Sequence, residues 1–165
     1  MNKFCVLLAI GLLINGCYGS AVRPNQLKED KDGWTAIAHR FDGHVNFFRS
    51  WEDFKNGFGD SNDEFFIGLQ NLHELTSSKR YELYIYLEDF EGASRYEIYD
   101  NFQVGSEDEK FVLKSIGGHT GDADDSLFFN VGSKFSTFDS DNDSSRGNCA
   151  QLQMGSWWYS DCSYA

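Results

Sequence analysis

Apolar and polar positions alternate between residues 81 and 88, with Tyr81, Leu83, Ile85 and Leu87 set against Glu82, Tyr84, Tyr86 and Glu88. A period of two sends successive side chains to opposite faces, so this stretch predicts a strand with one buried and one mixed face. Gly92 marks a turn before residues 94–99, and the two segments predict a β-hairpin. Shorter extended pieces are expected at 102–104 and 111–113. Upstream, residues 34–38 and 45–48 flank Asp42-Gly43, a dipeptide that favours the positive φ angles of tight turns, which predicts another hairpin. Ser50 is placed to cap a helix over 51–56, with Asp53 near the capping-box position and Gly57 at its end. Trp51, Phe54 and Phe58 then supply core rather than a ligand cage. Residues 64–69 and a helical turn around 71–75 lead into the alternating strand. After Ile116 the chain turns loop-rich, with Gly117, Gly118 and Gly121 in quick succession. The sum is an α+β fold: one domain with a mostly antiparallel sheet, short helices and a loop-rich C-terminal region. No internal repeat or long linker suggests a second domain, and about 146 residues suffice to bury roughly two-thirds of the unfolded surface.

Residues 1–19 carry Lys3, an apolar run at 4–14 and the small residue Gly19 before a polar stretch, the layout of a secretory signal peptide. The run falls short of the roughly 20 apolar residues that span a bilayer, and no later segment is a candidate span. Secretion into the extracellular space is therefore expected. Residues 20–32 are polar, hold the single proline Pro24, and are read as a flexible lead to a domain over 33–165. Cleavage near Gly19 removes Cys5 and Cys17 and leaves Cys149 and Cys162. In an oxidising compartment such a pair is expected as a disulfide, and no CxxC spacing or histidine cluster points to a zinc site on these cysteines. The formal net charge is −12, and loss of Lys3 leaves 13 basic against 26 acidic residues. That balance argues against nucleic acid and anionic membrane as partners.

Catalytic constellations are missing from the spacing. His73-Glu74 lacks the second histidine of a zinc-protease helix, and neither a GxSxG elbow nor a glycine-rich phosphate loop occurs. The chain is expected not to be an enzyme, with a secreted hydrolase as the remote alternative. Chemistry concentrates instead at 135–162. Asp139, Asp141 and Asp143 alternate around Asn142, packing oxygen donors into one turn, as a hard cation such as Ca2+ requires. An EF-hand loop is excluded, because Ser144 and Ala150 stand where it needs Gly and Glu. The alternatives at this point are another kind of calcium loop and a solvated acidic turn. Cys149 and Cys162 enclose Trp157, Trp158 and Tyr159, aromatic bulk able to build a small pocket. A disulfide between them would be worth about 3 kcal/mol in the chain-entropy account. Asp122, Asp124 and Asp125 form a second acidic turn, read as solvated, with lending charge to the loop as the alternative. His119 is read as surface or packing. Asn142-Asp143-Ser144 is formally a glycosylation sequon, and its place inside the cation loop predicts that it is unused.

The run FSTFDSDNDSSRGNCAQLQMGSWWYSDC resembles the calcium-binding, pocket-forming part of the fibrinogen C-terminal globular domain, the family of fibrinogen chains, ficolins, tachylectins and angiopoietin-like proteins. The likeness continues upstream through GWTAIAHRFDGHVNFFRSWEDFKNGFGDSNDEFFIGLQNLHELT and covers Gly33 to the C-terminus. It implies a loop-rich calcium-binding subdomain, with Ca2+ held by the carboxylates of Asp141 and Asp143 and the backbone carbonyls of Ser145 and Gly147, Asp139 being a neighbour. Trp157, Trp158, Tyr159, Asp161 and Ser163 fall in or behind the ligand pocket, with packing in the core as the alternative role of the three aromatic residues. Two departures from the family are expected to matter. The subdomain that normally precedes the GW motif is absent, as is any coiled-coil or collagen-like stalk, leaving the oligomeric state open. Relatives commonly continue past the second cysteine with histidine and an SNLNG-like run, whereas Ser163 and Tyr164 stand here close to the end. The resemblance thus implies a partial domain, truncated at both ends, in which the Asp161-Cys162 bond, often cis in relatives, is expected trans, with a mobile tail as the alternative. The function it implies is a secreted, calcium-stabilised recognition module, lectin-like toward acetylated or sugar ligands in innate immunity. A receptor ligand or signalling protein of angiopoietin-like type, binding a cell-surface protein, is the alternative, and a fragment without binding activity is the third.

Overall fold

The computed structural model describes residues 34–162 and, as backbone alone, residues 5–11. In chain order the strands are β1 (Cys5–Gly11), β2 (Trp34–Arg40), β3 (Phe58–Gly59), β4 (Phe65–Phe66), β5 (Tyr81–Glu88), β6 (Ser94–Val104), β7 (Leu113–Ser115) and β8 (His119–Gly121). The helices are α1 (Trp51–Asn56), α2 (Leu69–Ser78) and α3 (Cys149–Leu152), with a 3-10 turn at Phe128–Asn130. An eight-stranded sheet in the order β3-β4-β2-β1-β5-β6-β7, with β8 also on β6, pairs antiparallel throughout.

The alternating stretch is β5, and it joins β6 as the expected hairpin, Glu88 opposite Ser94 and Leu83 opposite Tyr99. β6 runs on without a break to Val104, so the piece expected at 102–104 belongs to the same strand. Phe111 is not extended: it sits at φ 46° in a turn, fully buried, and pairing resumes at Leu113. The helix at Trp51–Asn56 forms as its caps dictate, with Ser50 and Asp53 completing a reciprocal capping box. Gly57 ends it at φ 89°, where a Cβ would lie 2.6 Å from the Ile67 carbonyl oxygen, so only glycine fits. α2 is longer than the single turn expected and buries Leu69, Leu72 and Thr76.

The hairpin expected around Asp42-Gly43 does not form. β2 pairs with β4 and β1, and residues 45–48 are not a strand. The cause is Glu64, whose buried carboxylate accepts the backbone N–H groups of Phe41, Asp42, Gly43 and Val45 at 2.7–2.9 Å. Donors that a ladder would have paired are taken by one side chain instead. β1, from the apolar run read as a secretion signal, lies between β2 and β5, with Leu8 opposite Ala38 and Ile85. The remainder of that leader and the lead at 20–32 lie outside the described residues.

A continuous apolar cluster joins Ile37 of β2, Phe54 of α1, Leu72 of α2, Leu83 of β5 and Phe102 of β6 to Phe135 and Trp158 of the loop-rich region. The sheet is therefore the platform on which that region sits. Among the described residues no helix is long and apolar enough to cross a membrane.

Candidate calcium loop and ligand pocket

Residues 135–148 are held in shape by side chains that replace regular pairing. Asn142 donates its amide to the carbonyl oxygens of Phe135 and Ser140 and to Ser140 Oγ, while its N–H reaches Ser136 Oγ. Asn148 caps α3 through Oδ1 and donates Nδ2 to the carbonyls of Thr137 and Phe138. Asp139 turns away from the other aspartates, accepting from the Trp51 N–H at 2.9 Å and Thr137 Oγ1 at 2.7 Å. It thereby fastens the loop to the first turn of α1.

Asp141 and Asp143 stand together. Asp141 Oδ1 accepts from the Asp143 N–H at 3.3 Å, and Asp143 accepts from the N–H groups of Ser145 and Cys149 at 2.9 Å each. Loss of hydration, together with the neighbouring Asp143 charge, holds the Asp141 carboxyl above its ordinary range. Two carboxylates held side by side are the chemistry a hard cation satisfies. The residues fit Ca2+.

The loop is tied to the aromatic segment at several points. Cys149 and Cys162 form a disulfide, with Cα atoms 4.8 Å apart. Ser144 donates both its N–H and its hydroxyl to the Ser160 carbonyl, and Ser136 exchanges backbone hydrogen bonds with Trp157. The Asp161-Cys162 peptide is trans.

The five residues expected at the pocket separate. Trp158 is buried, donating Nε1 to the Phe111 carbonyl at 2.6 Å and packing its ring against Phe135 and Trp157. Tyr159 is buried against Cys149 and Ala150, with its hydroxyl on the Gly155 carbonyl. Its phenol is pushed up by burial and then by the Asp143 charge. Asp161 is exposed, and Ser163 lies outside the described residues. Trp157 and Trp158 wall an apolar cavity of about 230 Å³, completed by Ile37, Phe54, Leu83, Phe102 and Phe135. Two cavity-lining residues hold buried polar atoms without a hydrogen-bond partner, Ser156 Oγ and Trp157 Nε1. Sequence spacing gave no sign of Ser156, or of the β2 and β5 residues that close the cavity from the sheet side. It also concealed a cluster outside this loop, where Asp42, His44 and Glu64 converge, since 20 positions separate His44 from Glu64.

Residues 25–165 match the family described as fibrinogen beta and gamma chains, C-terminal globular domain. Human angiopoietin-related protein 2 is 42% identical over 135 residues, which covers 82% of this chain and 27% of that protein. The fibrinogen-like globe domain of human ANGPTL2 superposes with a TM-score of 0.77 at 40% identity, over 81% of this chain and 62% of that one. Lamprey fibrin D-dimer, solved with the peptide ligand Gly-His-Arg-Pro-amide, superposes with a TM-score of 0.72 at 34% identity, over 81% of this chain and 48% of the other. The chain thus spans less than two-thirds of the length of these relatives. An antiparallel sheet carrying a loop-rich, disulfide-closed region, matched over most of its length by these domains, places the chain in the fibrinogen C-terminal globular domain family.

Proposed function

We propose that this protein is an extracellular, calcium-stabilised recognition module without catalytic activity, and that it binds a protein or peptide partner. The observation that carries the reading is the coupling of the aspartate pair to the aromatic segment: Asp143 accepts the Cys149 N–H, and Cys149 is disulfide-bonded to Cys162. Asp141 and Asp143, with the carbonyls of Ser145 and Gly147, would hold Ca2+. The ion supplies the positive charge that relieves the repulsion between the two carboxylates, and the stiffened loop then orders the segment from Trp157 to Cys162. Support for a peptide or protein ligand comes from the lamprey fibrin D-dimer, a structural neighbour with a bound peptide. An angiopoietin-like signalling role fits the same reading.

A lectin-like reading has its own support. The apolar cavity beside the unpartnered Ser156 Oγ and Trp157 Nε1 offers a dry wall for a methyl group and two polar atoms for a carbonyl, the requirements of an acetyl group. The test is calcium titration by calorimetry on the wild type and on Asp141→Ala and Asp143→Ala, followed by competition on the calcium-loaded protein. Saturable calcium binding lost in both variants is expected, together with binding of Gly-His-Arg-Pro-amide that free N-acetylated sugar does not displace. Displacement by the sugar alone selects the lectin-like reading. A protein that binds neither calcium nor either ligand overturns both.

A further inference from the structure

The loop wound around Glu64 contains a histidine enclosed by carboxylates. His44 Nδ1 lies 2.6 Å from Asp42 Oδ1 and 3.8 Å from Glu64 Oε2, and its Nε2 is 3.0 Å from Asp63 Oδ2. Glu64 is divided in use: Oε1 takes three of the four loop N–H groups, and Oε2 takes the Val45 N–H alone, keeping a lone pair. Asp42 Oδ1, His44 Nδ1 and Glu64 Oε2 all lie within 4.8 Å of one another.

We propose that Asp42, His44 and Glu64 form a site for a borderline divalent transition ion of the zinc class, separate from the calcium loop. One imidazole nitrogen with two carboxylate oxygens is a donor set for zinc, cobalt or nickel, whereas calcium takes oxygen alone. A tetrahedral ion with bonds of about 2.0–2.1 Å sets its ligands roughly 3.3 Å apart. The separations of 2.6 and 3.8 Å bracket that value, and the adjustment falls on Asp42 and His44, which are exposed. The ion takes the place of the proton shared between His44 Nδ1 and Asp42. Glu64 brings no ordering cost, since its carboxylate is already locked by the backbone. Asp63, on the far ring nitrogen, fixes the orientation and tautomer of His44, as a carboxylate behind a metal-bound histidine does. The three ligands leave a fourth position open to solvent, as in zinc sites that exchange water or accept an outside ligand.

The test uses the secreted full chain in saturating calcium, so that the 139–147 loop is filled, with zinc titrated by calorimetry and cobalt by visible absorption. One zinc per chain at micromolar concentration is expected, with a cobalt spectrum of nitrogen and oxygen ligation. His44→Ala abolishes both signals, Asp63→Asn weakens zinc about tenfold, and Asp141→Ala leaves zinc binding unchanged. Melts in zinc-free buffer separate loss of the site from loss of the fold, and Asp63→Asn, which keeps the size and polarity of the side chain, serves as the second variant. Absence of zinc binding by the wild type, or binding unaltered in both His44→Ala and Asp63→Asn, overturns the proposal.

Discussion

Two loops in this molecule are organised by carboxylates, and they solve the problem of negative charge in opposite ways. Glu64 is buried, which pushes its pKa up, yet the N–H groups of Gly43, Phe41, Val45 and Asp42 outweigh that and hold it down at about 2. The protein's own backbone supplies the compensating dipoles. Asp141 and Asp143 instead face each other, and the Asp141 carboxyl is held above its ordinary range. Backbone N–H groups serve Asp143 at both oxygens but leave the pair with uncompensated charge. A carboxylate that serves as the hub of a loop is compensated by the backbone, whereas carboxylates at neighbouring corners of a loop repel each other, the repulsion that the proposed calcium ion would relieve.

The hardest test of this contrast is Glu64→Ala, which leaves four backbone donors without their acceptor. A loss of about 3–5 kcal/mol is expected in urea unfolding, with no restoration by calcium. The same group sets an acid limit. Its folded pKa lies below its ordinary 4.5, so its contribution is fully present above that value and is lost as pH falls toward about 2. That contribution amounts to about 3 kcal/mol, read from calcium-free melts at stepped pH. Replacing both Cys149 and Cys162 by serine opens a closure of 13 residues, and a cost of about 3 kcal/mol is expected. Because Asp143 is bonded to the Cys149 N–H, calcium affinity should fall in the same variant.

Calcium itself should raise stability by about 2.7 kcal/mol at a hundredfold excess over Kd, an increment that Asp141→Ala and Asp143→Ala both erase. In calcium-free buffer the two differ, because only Asp143→Ala removes the acceptor of Ser145 and Cys149. The smallest effect sharpens the comparison most. Asp141→Asn in calcium-free buffer should leave stability unchanged or raise it by a few tenths of a kcal/mol, about 0.5 at most, by removing one of two like charges. The sign of its pH dependence is also opposite to that of Glu64: with a raised folded pKa, Asp141 favours the fold below its ordinary 3.8 and loses that contribution as pH rises through the folded value. A Glu64-like loss on Asp141→Asn would mean that the two loops are built alike after all.

How much of this was legible beforehand differs from residue to residue. The helix at Trp51–Asn56 was readable because Ser50, Asp53 and Gly57 satisfy its ends within one turn of chain. The β5–β6 hairpin was readable from its alternation and from Gly92, at φ 84°. The pairing of Cys149 with Cys162 followed from counting, once the two leader cysteines were set aside. The Asp42-Gly43 turn predicts a hairpin that does not form, because its acceptor, Glu64, is about 20 positions away, and nothing in a dipeptide reports a distant carboxylate. The aromatic run at 157–159 was recognised, but its division of labour was not: Trp158 points its indole N–H at Phe111, 47 positions earlier, and Tyr159 turns to the disulfide.

The apolar run at Cys5–Gly11 carries the same lesson, since seven apolar residues read equally as part of a leader or as a strand until partners are present. In the structure those partners are β2 and β5. By itself, then, the sequence determined the α+β class, the capped helix, the β5–β6 hairpin, the family and the acidic loop closed by cysteines, because each is written in neighbouring residues or in a contiguous pattern. Only the tertiary structure decided which carboxylates the backbone satisfies and which stand side by side, that of the two cavity-lining tryptophans Trp158 pairs its indole N–H with Phe111 while that of Trp157 has no partner, and that His44 meets Glu64. Charge and burial depend on what arrives from elsewhere in the chain, and that is settled when the sheet, the helices and the loop region close on one core.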